Sequence, residues 1–102
     1  MRINGSKEFI EVCKNTVANY FNDNKDKTDT ANNISSDDVF VVWQCKTLQN
    51  NKALLSTTVS DGMYYEFTYN GDKDEMYMDA YKKWENKRIT KLEYDLHDRG
   101  RS

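Results

Sequence analysis

Residues 39–69 read VFVVWQCKTLQNNKALLSTTVSDGMYYEFTY. The stretch divides into three strand-like runs with turn signals between them. Residues 39–48 are rich in β-branched and aromatic side chains, Gln49-Asn50-Asn51-Lys52 reads as a hairpin loop, and residues 53–59 return. Ser60-Asp61-Gly62 is the next turn, and residues 63–69 form the third run. In that run Tyr64, Glu66 and Thr68 alternate with Met63, Tyr65, Phe67 and Tyr69, which gives one wet face and one buried face. The regular spacing predicts an antiparallel meander.

Downstream, Asn70-Gly71-Asp72-Lys73 is a strong hairpin signal, and the segment after it fits two periods. As a strand, Met76, Met78, Ala80 and Trp84 share a face. As a helix, Met76, Tyr77, Ala80, Tyr81 and Trp84 form an equally good stripe, with acids at its start and lysines near its end. The Asn-Gly turn favours a fourth strand. Upstream, Phe9, Ile10, Cys13, Val17, Tyr20 and Phe21 recur at helical spacing over residues 7–22. Ser6 is the expected N-cap, and Glu8 suits the first turn.

The expected fold class is α+β, an N-terminal helix packed on a 3–4-stranded antiparallel meander sheet. The expected core is Phe9, Ile10, Cys13, Val17, Phe21, Phe40, Val42, Leu54, Phe67 and Met76. Residues 1–102 read as one domain. Within it, residues 22–38 are a polar, mobile loop ending in a short turn near residues 34–38. Residues 90–102 are a short terminal element or frayed tail that Tyr94 and Leu96 could tack down.

The totals narrow the function classes. A chain of 102 residues has room for one modest core. A formal net charge of −2 disfavours a protein held on phosphates by bulk electrostatics. Charge is uneven, however: residues 22–38 carry five aspartates against two lysines, and Lys82, Lys83, Lys87, Arg88 and Lys91 stand against Glu85 alone. Cys13 and Cys45 belong to no C-x-x-C pair and sit among apolar neighbours, so two reduced core thiols are expected. There is no leader-like opening, and the longest apolar run, residues 39–43, is far too short to span a bilayer. The expected address is the cytoplasm, with no membrane partner.

No catalytic set converges, so the chain is not expected to be an enzyme. The single histidine, His97, leaves neither a triad nor a histidine-bearing zinc site to assemble, and no phosphate-loop or nucleophile-elbow motif occurs. Glu66, Asp79 and Glu85 could supply a carboxylate pair, although exposed carboxylates on a sheet are the ordinary case. Residues 22–33 fail as a calcium loop, having Lys27 where glycine and Asn33 where glutamate are needed. No metal and no cofactor is expected. Binding is left, and two surfaces are candidates. One is the acidic loop with Asp23, Asp26 and Asp29. The other is Tyr77, Tyr81, Lys82, Lys83 and Lys87, a mixture of aromatics and cations that could hold single strands. Lysines on the outer face of a terminal element whose aromatics are core would look the same, and Tyr and Trp are equally at home at protein interfaces.

The chain also resembles a small protein family of unknown function associated with phages, prophages and mobile elements of Gram-positive bacteria. The residues that carry the resemblance are Asp38-Val39-Phe40-Val41-Val42-Trp43, the stretch from Cys45 through Leu55, Asp61-Gly62-Met63-Tyr64-Tyr65-Glu66, Tyr69-Asn70-Gly71-Asp72-Lys73 and Asp79-Ala80-Tyr81-Lys82-Lys83. The helix over residues 7–21 looks like the family's start, and residues 90–102 lie outside the resemblance. It implies a host-takeover protein that binds and inhibits a host protein. The leading expectation is an anti-CRISPR acting on the type II effector Cas9, on the Cas9–guide RNA complex, or on guide loading, because such effectors expose basic channels. A nucleic-acid-binding accessory protein of phage replication or transcription is the alternative. A third reading is a small homodimeric module using its open sheet edge, so monomer and homodimer both remain open.

Overall fold

A computed structural model describes residues 2–25 and 32–92. Among them are the helix α1 (Ser6–Asn24), a 3-10 turn at Ser36–Asp38, and the strands β1 (Val39–Thr47), β2 (Asn50–Thr57), β3 (Met63–Asn70) and β4 (Glu75–Lys82). The strands form one antiparallel sheet in the order β1-β2-β3-β4, the expected meander with its fourth strand. The fold is α+β: α1 covers one face of the sheet, and the other face is open.

The core lies between α1 and the covered face. Phe9, Cys13 and Val17 recur every fourth residue along one stripe of α1 and are fully buried. They meet Ala53 and Leu55 of β2 and Tyr65, Phe67 and Tyr69 of β3, the alternate residues that the pleat sends to that side. Tyr20 stands edge-on to Tyr65, with ring centroids 5.8 Å apart. Ile10, Met76 and Met78 pack at the rim of this cluster. Burial pushes the Cys13 thiol up to about 12. The neutral buried thiol therefore contributes stability that is complete below the ordinary thiol value of 9.0 and is lost as pH climbs from there towards 12.

Cys45 is exposed instead, which corrects the expectation of two core thiols. One of the two cysteines should accordingly react with an aromatic disulfide reagent in the native protein, and both after denaturation. Rapid reaction of both thiols under native conditions would contradict the burial of Cys13.

Polar contacts fasten the segment before α1 to β3 and to the turn after it. The Ile3 N–H donates to the Tyr69 hydroxyl at 3.3 Å, and that hydroxyl donates to Asp74 Oδ1 at 2.7 Å. The Tyr69 hydrogen bond holds the Asp74 carboxyl below its usual range. Arg2 donates to the Gly71 carbonyl at 2.7 Å, so the segment before α1 is fastened to the β3–β4 turn. Gly71 in turn donates to the Gln49 carbonyl at 3.0 Å, bringing two hairpin turns together. A Cβ on residue 71 would sit 2.3 Å from that same carbonyl oxygen, which is why glycine stands there.

Three local expectations are corrected. The residue flanking α1 is Gly5, at φ 94 and without a side-chain cap, while Ser6 is already helical; Glu8 instead accepts from the Asn4 N–H at 2.9 Å. The first hairpin turns at Leu48 and Gln49, with Leu48 at φ 56, so Asn50, Asn51 and Lys52 belong to β2. Residues 22–24 belong to α1 and not to the polar loop, which ends in a short turn as expected. Asn22 exchanges two hydrogen bonds with the backbone of Ile34, at 2.8 and 2.9 Å, and Ser35 and Asp38 form a capping box on the 3-10 turn.

The largest correction concerns β1. Phe40 and Val42, both expected in the core, are 47% and 45% exposed, and Leu54 is only half-buried on the open face. Val39 and Val41 take the α1 side, which sends Phe40 out, and Leu54 alternates with the buried Ala53 and Leu55; a β-bulge then follows in β1. Val41 pairs with Leu55 and Trp43 with Leu54, which leaves Val42 as an extra residue in β1. A period of two then breaks once. Val39 and Val41 face α1, whereas Phe40, Trp43, Cys45 and Thr47 face away. Deleting Val42 should therefore leave a regular ladder with every other side chain on its present face. A variant lacking Val42 is expected to keep the wild-type circular dichroism spectrum and a melting change of about 1 kcal/mol or less. Loss of cooperative melting in that variant would show that the bulge is needed for more than phase.

Candidate binding face

The open face of the sheet is built from the alternate residues that α1 does not cover. Register aligns them in rows across the strands. Phe40, Ser56, Tyr64 and Tyr81 form one row, Trp43, Leu54, Glu66 and Asp79 the next, and Cys45, Lys52, Thr68 and Tyr77 a third. Phe40, Trp43, Tyr77 and Tyr81 are each exposed by 40% or more. Single exposed hydrophobics are normal on a small protein, but several large aromatics on one face of a sheet mark a candidate interaction surface.

Charge on this face is acidic. Glu66 and Asp79 lie directly opposite each other on β3 and β4, a like-charge pair that costs stability across an antiparallel ladder. Lys52 Nζ lies 3.9 Å from Glu66, and the Tyr81 hydroxyl donates to the same carboxylate at 3.5 Å. Tyr77 donates to Glu75 at 3.1 Å. The Glu66 charge raises the Tyr81 phenol above its usual range, and the hydrogen bond to Glu75 does the same for Tyr77. Both phenols stay protonated and remain donors. Beside the third row, Cys45, Thr47, Asn50, Lys52, Thr68 and Asn70 line a shallow cavity of about 290 Å³.

The residues singled out in the sequence do not come together. Tyr77 and Tyr81 share the open face. Lys82 pairs with Met63 and so points to the α1 side. Lys83 follows β4, its N–H donating to the Gly62 carbonyl at 2.7 Å, and Lys87 is exposed in the irregular segment beyond. Asp23 is exposed on the last turns of α1, across the sheet from the tyrosines. Asp26 and Asp29 lie outside the described residues, as do His97, Tyr94 and Leu96. Trp43 and Tyr64 are absent from the sequence-based set although they lie on the same open face, Trp43 on the edge strand β1 and Tyr64 on β3. Their only sequence signal is the alternation of Tyr64 with Tyr65, because Trp43 sits in an unbroken apolar run.

Among the described residues no group of histidine, cysteine, aspartate and glutamate side chains could hold a metal ion, and no helix is long and apolar enough to cross a membrane. No curated protein and no solved structure matches the chain. A model described as a family of unknown function, DUF6275, matches residues 10–91, and the chain belongs to that family.

Proposed function

We propose that the protein is a non-catalytic binding protein of the cytoplasm whose working surface is the open face of its sheet and whose partner is another protein. The carrying observation is the aromatic surface of Phe40, Trp43, Tyr64 and Tyr81, which shares its face with the opposed carboxylates Glu66 and Asp79. Rigid aromatics with few rotatable bonds give large contact area at low entropic cost, the composition of an interface centre. An arginine or lysine delivered between Glu66 and Asp79 would relieve their repulsion and could lie against an aromatic ring. The surface thus suits a partner with cationic side chains and disfavours a phosphate backbone.

The resemblance to a phage and mobile-element family gives that partner a name to test, the type II effector Cas9, whose nucleic-acid channels are basic. The direct experiment measures DNA cleavage by purified Cas9, with the protein added before or after the guide RNA. Inhibition in either order, with stoichiometric binding, supports the anti-CRISPR reading. Unimpaired cleavage and no complex with apo or guide-loaded Cas9 reject it and leave the binding face without that partner.

One observation favours a nucleic-acid reading. Trp84 is 96% exposed and stands among Lys83, Lys87 and Arg88 beyond β4. Binding of single-stranded DNA or RNA that weakens steeply with salt and is lost in Trp84→Ala would move the function to that segment.

A further inference from the structure

β1 and β4 are the two edges of the sheet, and they are not alike. β1 is interrupted by its bulge, a device that blunts strand pairing. β4 pairs with β3 without irregularity from Glu75 to Lys82, and no proline occurs anywhere in the chain to protect it. The phase of the ladder decides which backbone groups point outward. The Lys83 N–H donates to Gly62 of the preceding turn, so by alternation Tyr81, Asp79 and Tyr77 also bond inward to β3. Met76, Met78, Ala80 and Lys82 then direct their N–H and C=O groups away from the sheet.

We propose that β4 is a dimerisation strand that pairs antiparallel with β4 of a second copy about a twofold axis through Met78, joining the two sheets into one. A twofold axis normal to the sheet keeps both open faces on the same side and pairs only outward-bonding residues with each other. Met78 then faces Met78 of the second copy, and Met76 faces Ala80. These side chains are on the α1 side, where Met76 and Met78 already pack at the rim of the core. On the open face Tyr77 meets Asp79 and Glu75 meets Tyr81, so every carboxylate of the seam is opposite a phenol.

Neighbouring registers lack this complementarity. A slip one way sets Asp79 against Asp79, a slip the other way sets Glu75 against Asp79, and longer slips leave the strand ends unpaired. A second copy therefore suits this edge better than an arbitrary strand, because the pattern of β4 is complementary to itself. The dimer leaves Trp43 and Tyr64 uncovered, and the inference does not rest on the proposed function.

Light scattering across a wide concentration range tests it. The wild type is expected to reach twice its 12.0 kDa chain mass. Met78→Pro removes an outward N–H without breaking a bond to β3, and it should hold the chain at single mass with an unchanged circular dichroism spectrum. Should that variant unfold, cross-linking decides. In a Cys45→Ser background, Met78→Cys is expected to form a disulfide dimer on oxidation, and Ala80→Cys, which faces Met76, is not. A wild type that stays at single mass at every concentration overturns the proposal. So does a dimer that Met78→Pro leaves intact, or one in which Ala80→Cys cross-links as readily as Met78→Cys.

Discussion

Phe67→Ala is expected to destabilise the fold by about 3–5 kcal/mol, and Phe40→Ala by about 1 kcal/mol or less. Both substitutions remove the same aromatic ring from a strand of the same sheet. Phe67 is completely buried beneath α1 and beside Ala53, with Met78 opposite it on β4, so its loss opens a cavity that one helix cannot collapse to fill. Phe40 is 47% exposed on the open face, and much of its ring already lies in water. A domain this small is typically stable by only ~5–10 kcal/mol, so Phe67→Ala takes a large share of the total. The melting temperature should fall by more than about 12 °C, with only a small change for Phe40→Ala. Urea or thermal melts followed by circular dichroism give both numbers. Equal losses, or a larger loss at Phe40, would place the core on the wrong side of the sheet.

That comparison also isolates what could be read from the chain. The stripe of Phe9, Cys13 and Val17 and the alternation of Met63, Tyr65, Phe67 and Tyr69 are local patterns, and each falls on the buried side of its element. The fourth strand was legible because Asn70-Gly71 starts a tight turn, here with Asn70 Oδ1 accepting from Asp72 and Lys73 at 3.0 and 3.2 Å. β1 was not. Its opening run of five apolar residues has no alternation from which to read phase, so nothing marked Val42 as the bulged residue. For that reason the sequence places Phe40 and Val42 on the wrong face, and Cys45, expected in the core from its apolar neighbours alone, lies on the open face.

The first hairpin misled for a related reason. Asn50 and Asn51 are strong turn formers, yet the backbone turns at Leu48, at φ 56, where a leucine gives no such signal. The candidate site was half legible for the same cause. Tyr77 and Tyr81 lie on a strand whose period is clear, whereas Trp43 and Tyr64 reach the same surface only through pairings of β1 with β2 and β2 with β3.

Trp43→Ala is expected to weaken binding to the proposed protein partner by at least about 30-fold, equivalent to ~2 kcal/mol, while costing about 1 kcal/mol or less in stability. Trp43 is 40% exposed, so roughly half of its indole is free for a partner to cover and the rest anchors it on Leu54 of the neighbouring strand. Removing the ring takes away contact area on the open face without disturbing the covered core. Glu66→Gln should weaken binding less in absolute terms but flatten its salt dependence, because the carboxylate is the group proposed to meet a cationic side chain. Titration calorimetry against purified Cas9 at two salt concentrations reads both effects, with Lys83→Ala as the contrast. A protein that loses affinity through Trp43 and Glu66 but not Lys83 works through the open face. The reverse pattern, Trp43→Ala silent and Lys83→Ala damaging, would mean that the aromatic surface serves some other contact and that the segment beyond β4 carries the activity.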